Sequence, residues 1–142
     1  MIFGGAAAWG LLLVSCISVN RTMLAPPVIP GASFVGDKGC VECHEEHTDG
    51  FGTATHAKVT LADPKLGNTG CEACHGPGSL HVKAGGSRGT IVNPQRNPES
   101  CFQCHLEKRG EFSLPYAHAV TNGHMSCSDC HNAHTGDAVL EG

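Results

Sequence analysis

The chain has 142 residues, with 13 Asp and Glu against nine Lys and Arg and a formal net charge of −4. That length holds one small domain plus a terminal segment, and an acidic chain without a basic patch is not a nucleic-acid binder. From residue 34 to 142 only 18 of 109 residues are Leu, Ile, Val or Phe, too few to offset backbone ordering at roughly 1–2 kcal/mol per residue, so something other than side chains must make the core.

Residues 1–19 are an export signal or a short membrane anchor. Ile2 to Val19 carries no charge and has Leu11, Leu12 and Leu13 at its centre. Leu13-Val14-Ser15-Cys16 looks like a lipobox, in which Cys16 carries lipid after cleavage, but the first basic residue, Arg21, follows the run instead of preceding it. A lipoprotein signal, a retained helix and a simple cleaved signal all place the remainder outside the cytoplasm, in a periplasm or at a cell surface. Residues 20–33, with Pro26, Pro27 and Pro30, read as an extended Pro-rich linker.

Residues 34–142 hold eight Cys and all ten His. The cysteines fall into four Cys-x-x-Cys-His motifs: Cys40, Cys43 and His44; Cys71, Cys74 and His75; Cys101, Cys104 and His105; Cys127, Cys130 and His131. Two thiols three positions apart reach the two vinyl groups of a porphyrin from one turn, and the following His turns its imidazole under the iron. The pattern is that of covalent c-type haem attachment. Paired Cys-x-x-Cys also builds zinc sites, but with only ten His in the chain a His directly after every pair is not chance. No βαβ pattern supports a redox dithiol.

Four proximal imidazoles leave His47, His56, His81, His118, His124 and His134. An electron-shuttling haem iron takes a second axial ligand. Met125 is the sole methionine of the domain, so bis-histidine ligation of four irons is the economical expectation. An internal repeat selects the four. The stretch 40–81 reads motif, His56-Ala57, motif, His81, and the stretch 101–134 reads motif, His118-Ala119, motif, His134. His44 to His56 is 12 positions and His105 to His118 is 13. The expected metal ligands are therefore His44, His75, His105 and His131 with His56, His81, His118 and His134. His47 and His124 remain as loop histidines, or as ligands offered to a neighbouring molecule.

The runs Phe51-Gly52-Thr53-Ala54-Thr55-His56-Ala57 and Gly70-Cys71-Glu72-Ala73-Cys74-His75-Gly76-Pro77-Gly78, with His81-Val82 and the closing Cys127 to His134, resemble multihaem cytochromes of the paired Cys-x-x-Cys-His type. The likeness is to the periplasmic decahaem cytochromes that feed extracellular metal reduction or dimethyl-sulfoxide respiration. It spans about Gly39 to Thr135, with four sites instead of ten. The resemblance implies that the mid-repeat His and the His just after the second motif serve as distal ligands.

The expected fold is a small multihaem cytochrome, mostly irregular chain with short α-helices wrapped around four covalently bound haems, in two dihaem repeats. The haems replace the packing that a small domain lacks. Gly76-Pro77-Gly78, Gly85-Gly86, Pro94, Pro98 and Pro115 interrupt any longer helix. The expected role is electron transfer without catalysis, since distal His are in excess and an enzyme needs an open iron. Bis-His ligation favours low potentials. Expected partners are other redox proteins: a quinol-oxidising membrane complex, other cytochromes or a terminal reductase. The membrane is reached through the N-terminal segment or lipid on Cys16. A filament of stacked copies and a bound subunit of a larger membrane complex are the rival readings.

Overall fold

The structure is a computed structural model that describes residues 26–59 and 70–136. The N-terminal segment, with Cys16, lies outside the described residues. Six short α-helices run α1 (Lys38–Val41), α2 (Glu45–Thr48), α3 (Gly70–His75), α4 (Ser79–Lys83), α5 (Glu99–Phe102) and α6 (Leu106–Glu111), interspersed with single 3-10 turns. There is no β-strand element among the described residues, and no helix there is long and apolar enough to cross a membrane.

Each Cys-x-x-Cys-His motif folds as one tight turn. In motifs one, three and four the amides of the second Cys and of the His both reach the carbonyl of the first Cys. The distances are 3.2 and 3.0 Å at Cys40, 3.1 and 3.0 Å at Cys101, and 3.2 and 2.9 Å at Cys127. Motif two lies wholly within α3. The duplication is visible in the backbone: His44 caps the N-terminus of α2 and His105 that of α6, both with non-helical dihedrals. The second motifs differ, a helix in one repeat and the 3-10 turn Cys127–Asp129 in the other.

Side chains build almost no core. Among the described residues only Ala54, Phe102 and Val120 are buried and apolar, while Leu106, Leu114 and Tyr116 stand exposed. Soluble domains ordinarily bury far more.

Residues 26–33 run without helix or strand, turn at Pro30 and Gly31, where the Ala32 amide reaches Ile29 O at 3.1 Å, and are docked on the domain. Ser33 exchanges hydrogen bonds with Ser79, its amide donating to Ser79 Oγ at 2.9 Å and its carbonyl accepting from the Ser79 amide at 3.1 Å. Two acidic side chains extend this clamp. Glu72 accepts the amides of Val35, Gly36 and Gly78 at 3.0, 2.8 and 2.8 Å, and Asp37 accepts those of Gly70 and Cys71 at 3.2 and 3.1 Å. Gly76 is where the strap crosses motif two. Its φ is +74°, and a Cβ there would meet Pro27 O at 2.9 Å, so only glycine fits.

Candidate haem sites

The leading cysteines of successive motifs meet. The mutual interaction of the Cys40 and Cys71 thiols holds Cys71 well above and Cys40 below the usual thiol range. Cys101 and Cys127 pair in the same way; burial first, and then Cys127, push Cys101 up to about 12. Burial also raises Cys74, helped by Cys104. The thiol pairs thus run from motif one to two and from three to four, with Cys74 and Cys104 between them.

The imidazoles are likewise arranged in twos. Two imidazoles bound through nitrogen at about 2 Å to opposite faces of one metal have ring centroids roughly 6.3 Å apart. Three pairs have that spacing: His44 and His81 at 6.2 Å and 17°, His75 and His134 at 6.2 Å and 7°, His56 and His105 at 6.2 Å and 70°. Each joins one motif histidine to one of the expected distal set. His118 is exposed, His131 is exposed, and no ring contact between them is seen.

Two of these rings are anchored for ligation. His75 Nδ1 lies 3.0 Å from Val92 O and His81 Nδ1 lies 2.9 Å from Ser87 O. A carbonyl only accepts, so Nδ1 holds the proton and Nε2 keeps its lone pair for a metal. Burial lowers the pKa of His56, His75 and His134 from the usual imidazole value, which keeps these rings neutral and able to bind iron. Among the described residues no three metal-ligating side chains converge; the donors come in pairs, as a porphyrin requires.

His47 is not free in a loop. Its ring lies 6.0 Å from His44 and 5.4 Å from His134. Neither contact can enclose an iron. His44 and His47 are three residues apart on one turn at the start of α2 and so lie on the same side of it, which keeps them from opposite faces of one macrocycle, and 5.4 Å is short of the two-faced spacing. His124 is exposed and unpaired with any ring.

Sequence reasoning did not reach three features. These are the buried carboxylate of Glu72, the carbonyl anchors at Ser87 and Val92, and the crossing of ligands between repeats. His44 lies opposite His81 of its own repeat, whereas His75 lies opposite His134 of the second repeat and His105 opposite His56 of the first.

The family described as cytochrome c554 and c-prime matches residues 28–76. Cytochrome c-554 of Nitrosomonas europaea is 32% identical over 97 residues, 57% of this chain and 40% of that protein. The C-type polyheme cytochrome OmcB of Geobacter sulfurreducens is 32% identical over 95 residues, 66% of this chain and 12% of its own length. Multiheme cytochrome MtrA of Shewanella baltica is 29% identical over 116 residues, 74% of this chain and 34% of its own. The chain thus spans less than half the length of each of these relatives. No solved structure matches. Motif turns, paired imidazoles and these relatives together make the chain a multihaem c-type cytochrome.

Proposed function

We propose that the chain carries electrons through four covalently attached haems, each held between two histidines, and catalyses no reaction of its own. Three imidazole pairs at the spacing of a metal's two faces carry this reading. The haem supplies the one-electron chemistry when bound; the protein positions and tunes it. Cys40 and Cys43, Cys71 and Cys74, Cys101 and Cys104, and Cys127 and Cys130 form the thioethers. His44 with His81, His75 with His134, and His105 with His56 would hold the irons in pairs. His131 takes His118, the expected distal histidine not already paired and the repeat equivalent of His56. The interaction of Cys40 with Cys71 and of Cys101 with Cys127 supports close macrocycles within each couple, and the packing of α3 against α5 supports passage between couples.

The working place is extracytoplasmic and membrane-tethered, through residues 1–19 or lipid on Cys16. The partners are redox proteins: a membrane donor and a periplasmic or external acceptor. Intact mass tests the reading. The processed polypeptide should gain the mass of four haems, with all eight motif cysteines closed to thiol reagents; fewer haems, or bound zinc, would sink it.

A further inference from the structure

The first intervening position of the motif is filled very differently at the two central sites. In motif two it is Glu72, 1% exposed, whose carboxylate is held by three amides. No basic side chain pairs with it among the described residues. In motif three the same position is Phe102, 2% exposed. Over its ring lies the Arg109 guanidinium, 5.8 Å from the centroid and bonded to Glu99 at 2.7 Å. A buried negative charge favours ferric over ferrous iron, whereas an apolar setting with no net charge at that position does the reverse.

The ligand rings differ in the same sense. His75 donates from Nδ1 to Val92 O, which makes the imidazole a stronger donor and favours ferric iron. His56 Nδ1 is buried without a hydrogen-bond partner. On the other side of that site, His105 Nδ1 lies 3.6 Å from Glu107, beyond hydrogen-bond range and exposed to solvent. Ring orientation adds to the contrast, because near-parallel ligand planes as in His75 and His134 stabilise ferric haem more than crossed planes as in His56 and His105.

From these contrasts we infer that the chain builds a potential step between its second and third haem sites. Glu72 and the anchored His75 hold the site at Cys71 and Cys74 low. Phe102 and the unanchored, crossed His56 hold the site at Cys101 and Cys104 higher. With haem bound, the site held by Cys71, Cys74 and His75 would give up one electron and be oxidised while the site held by Cys101, Cys104 and His105 would take it and be reduced, with no bond made or broken and no proton moved. Charge entering through the first two sites therefore collects at the third. This rests on the four-haem reading above.

Potentiometric titration of the intact haem-loaded protein, followed by electron paramagnetic resonance, tests the step. Crossed ligand planes give a ferric signal with a larger maximum g-value than parallel planes, so the sites can be told apart. On stepwise reduction with dithionite the crossed-ring signal should vanish before a parallel-ring signal, an order that needs no variant. Glu72→Gln should then shift a parallel-ring component to higher potential and leave the crossed-ring one in place, while Glu42→Gln, an exposed carboxylate in motif one, should move neither. A crossed-ring signal that titrates with or below all the others would overturn the step, as would Glu72→Gln leaving every potential unchanged. Absence of any low-spin ferric signal would instead overturn the haem reading itself.

Discussion

The rings of His75 and His134 lie 6.2 Å apart and 7° from parallel, although one belongs to the first motif couple and the other closes the second. His105 and His56 make the reverse crossing. In the ligation proposed above, each repeat would complete a site in the other.

Ligand replacement checks the crossing. His134→Ala should convert one parallel-ring low-spin haem to high spin and keep the crossed-ring signal. His56→Ala should do the opposite, removing the crossed-ring signal alone. Counting high-spin and low-spin components in the oxidised protein decides it, and a His56→Ala variant that keeps the crossed-ring signal would refute the pairing with His105.

His47 contacts two ligand rings yet has no iron of its own to bind. His47→Ala should therefore leave four low-spin haems and the same haem content by mass. A high-spin component in that variant would make His47 a ligand after all.

The motifs, their turns and the eight cysteines were legible in the sequence because haem attachment fixes residue type and spacing locally. Position in the repeat also picked out His56, His81 and His134, each of which lies opposite a motif histidine. Partnership was not legible. Repeat symmetry would give His105 to His134 if His44 takes His81, and the folded chain does not obey it, because partners are set by how the repeats pack across one another. Glu72 gave no signal either: an acidic residue inside a motif reads as a solvated one, like the exposed Glu42, until Val35, Gly36 and Gly78 are brought around it. The docking of residues 26–33 follows from that same clamp, and a Pro-rich composition accounts for a backbone without helix or strand but not for what it lies on.

That clamp has a measurable stability. Glu72→Ala leaves three amides without their acceptor, and an unmet buried donor costs about 1–3 kcal/mol. Denaturant unfolding of the haem-loaded variant should show a loss of roughly 3 kcal/mol or more. Glu72→Gln keeps one acceptor oxygen and should lose less. Equal stability of Glu72→Ala and the parent would mean that the strap does not depend on this carboxylate.

Acid should weaken the fold through the same imidazoles that bind iron. The pKa values of His56, His75 and His134 are lowered from 6.5, with burial the largest cause at each and neighbouring histidines adding to it. A folded value below the unfolded one means that the unfolded chain binds more protons in the window between them, so stability rises with pH there. Iron on Nε2 would depress protonation of these rings further, so this stability is fully present above about 6.5 and declines as pH falls below that value. The denaturation midpoint followed through the haem absorbance should hence be flat near pH 7.5 and drop steadily toward pH 5. Replacing His47 should leave that slope in place, whereas His134→Ala should make it shallower because one depressed imidazole is gone. A midpoint that rises on acidification, or a slope untouched by His134→Ala, would show that these buried rings are not what acid attacks.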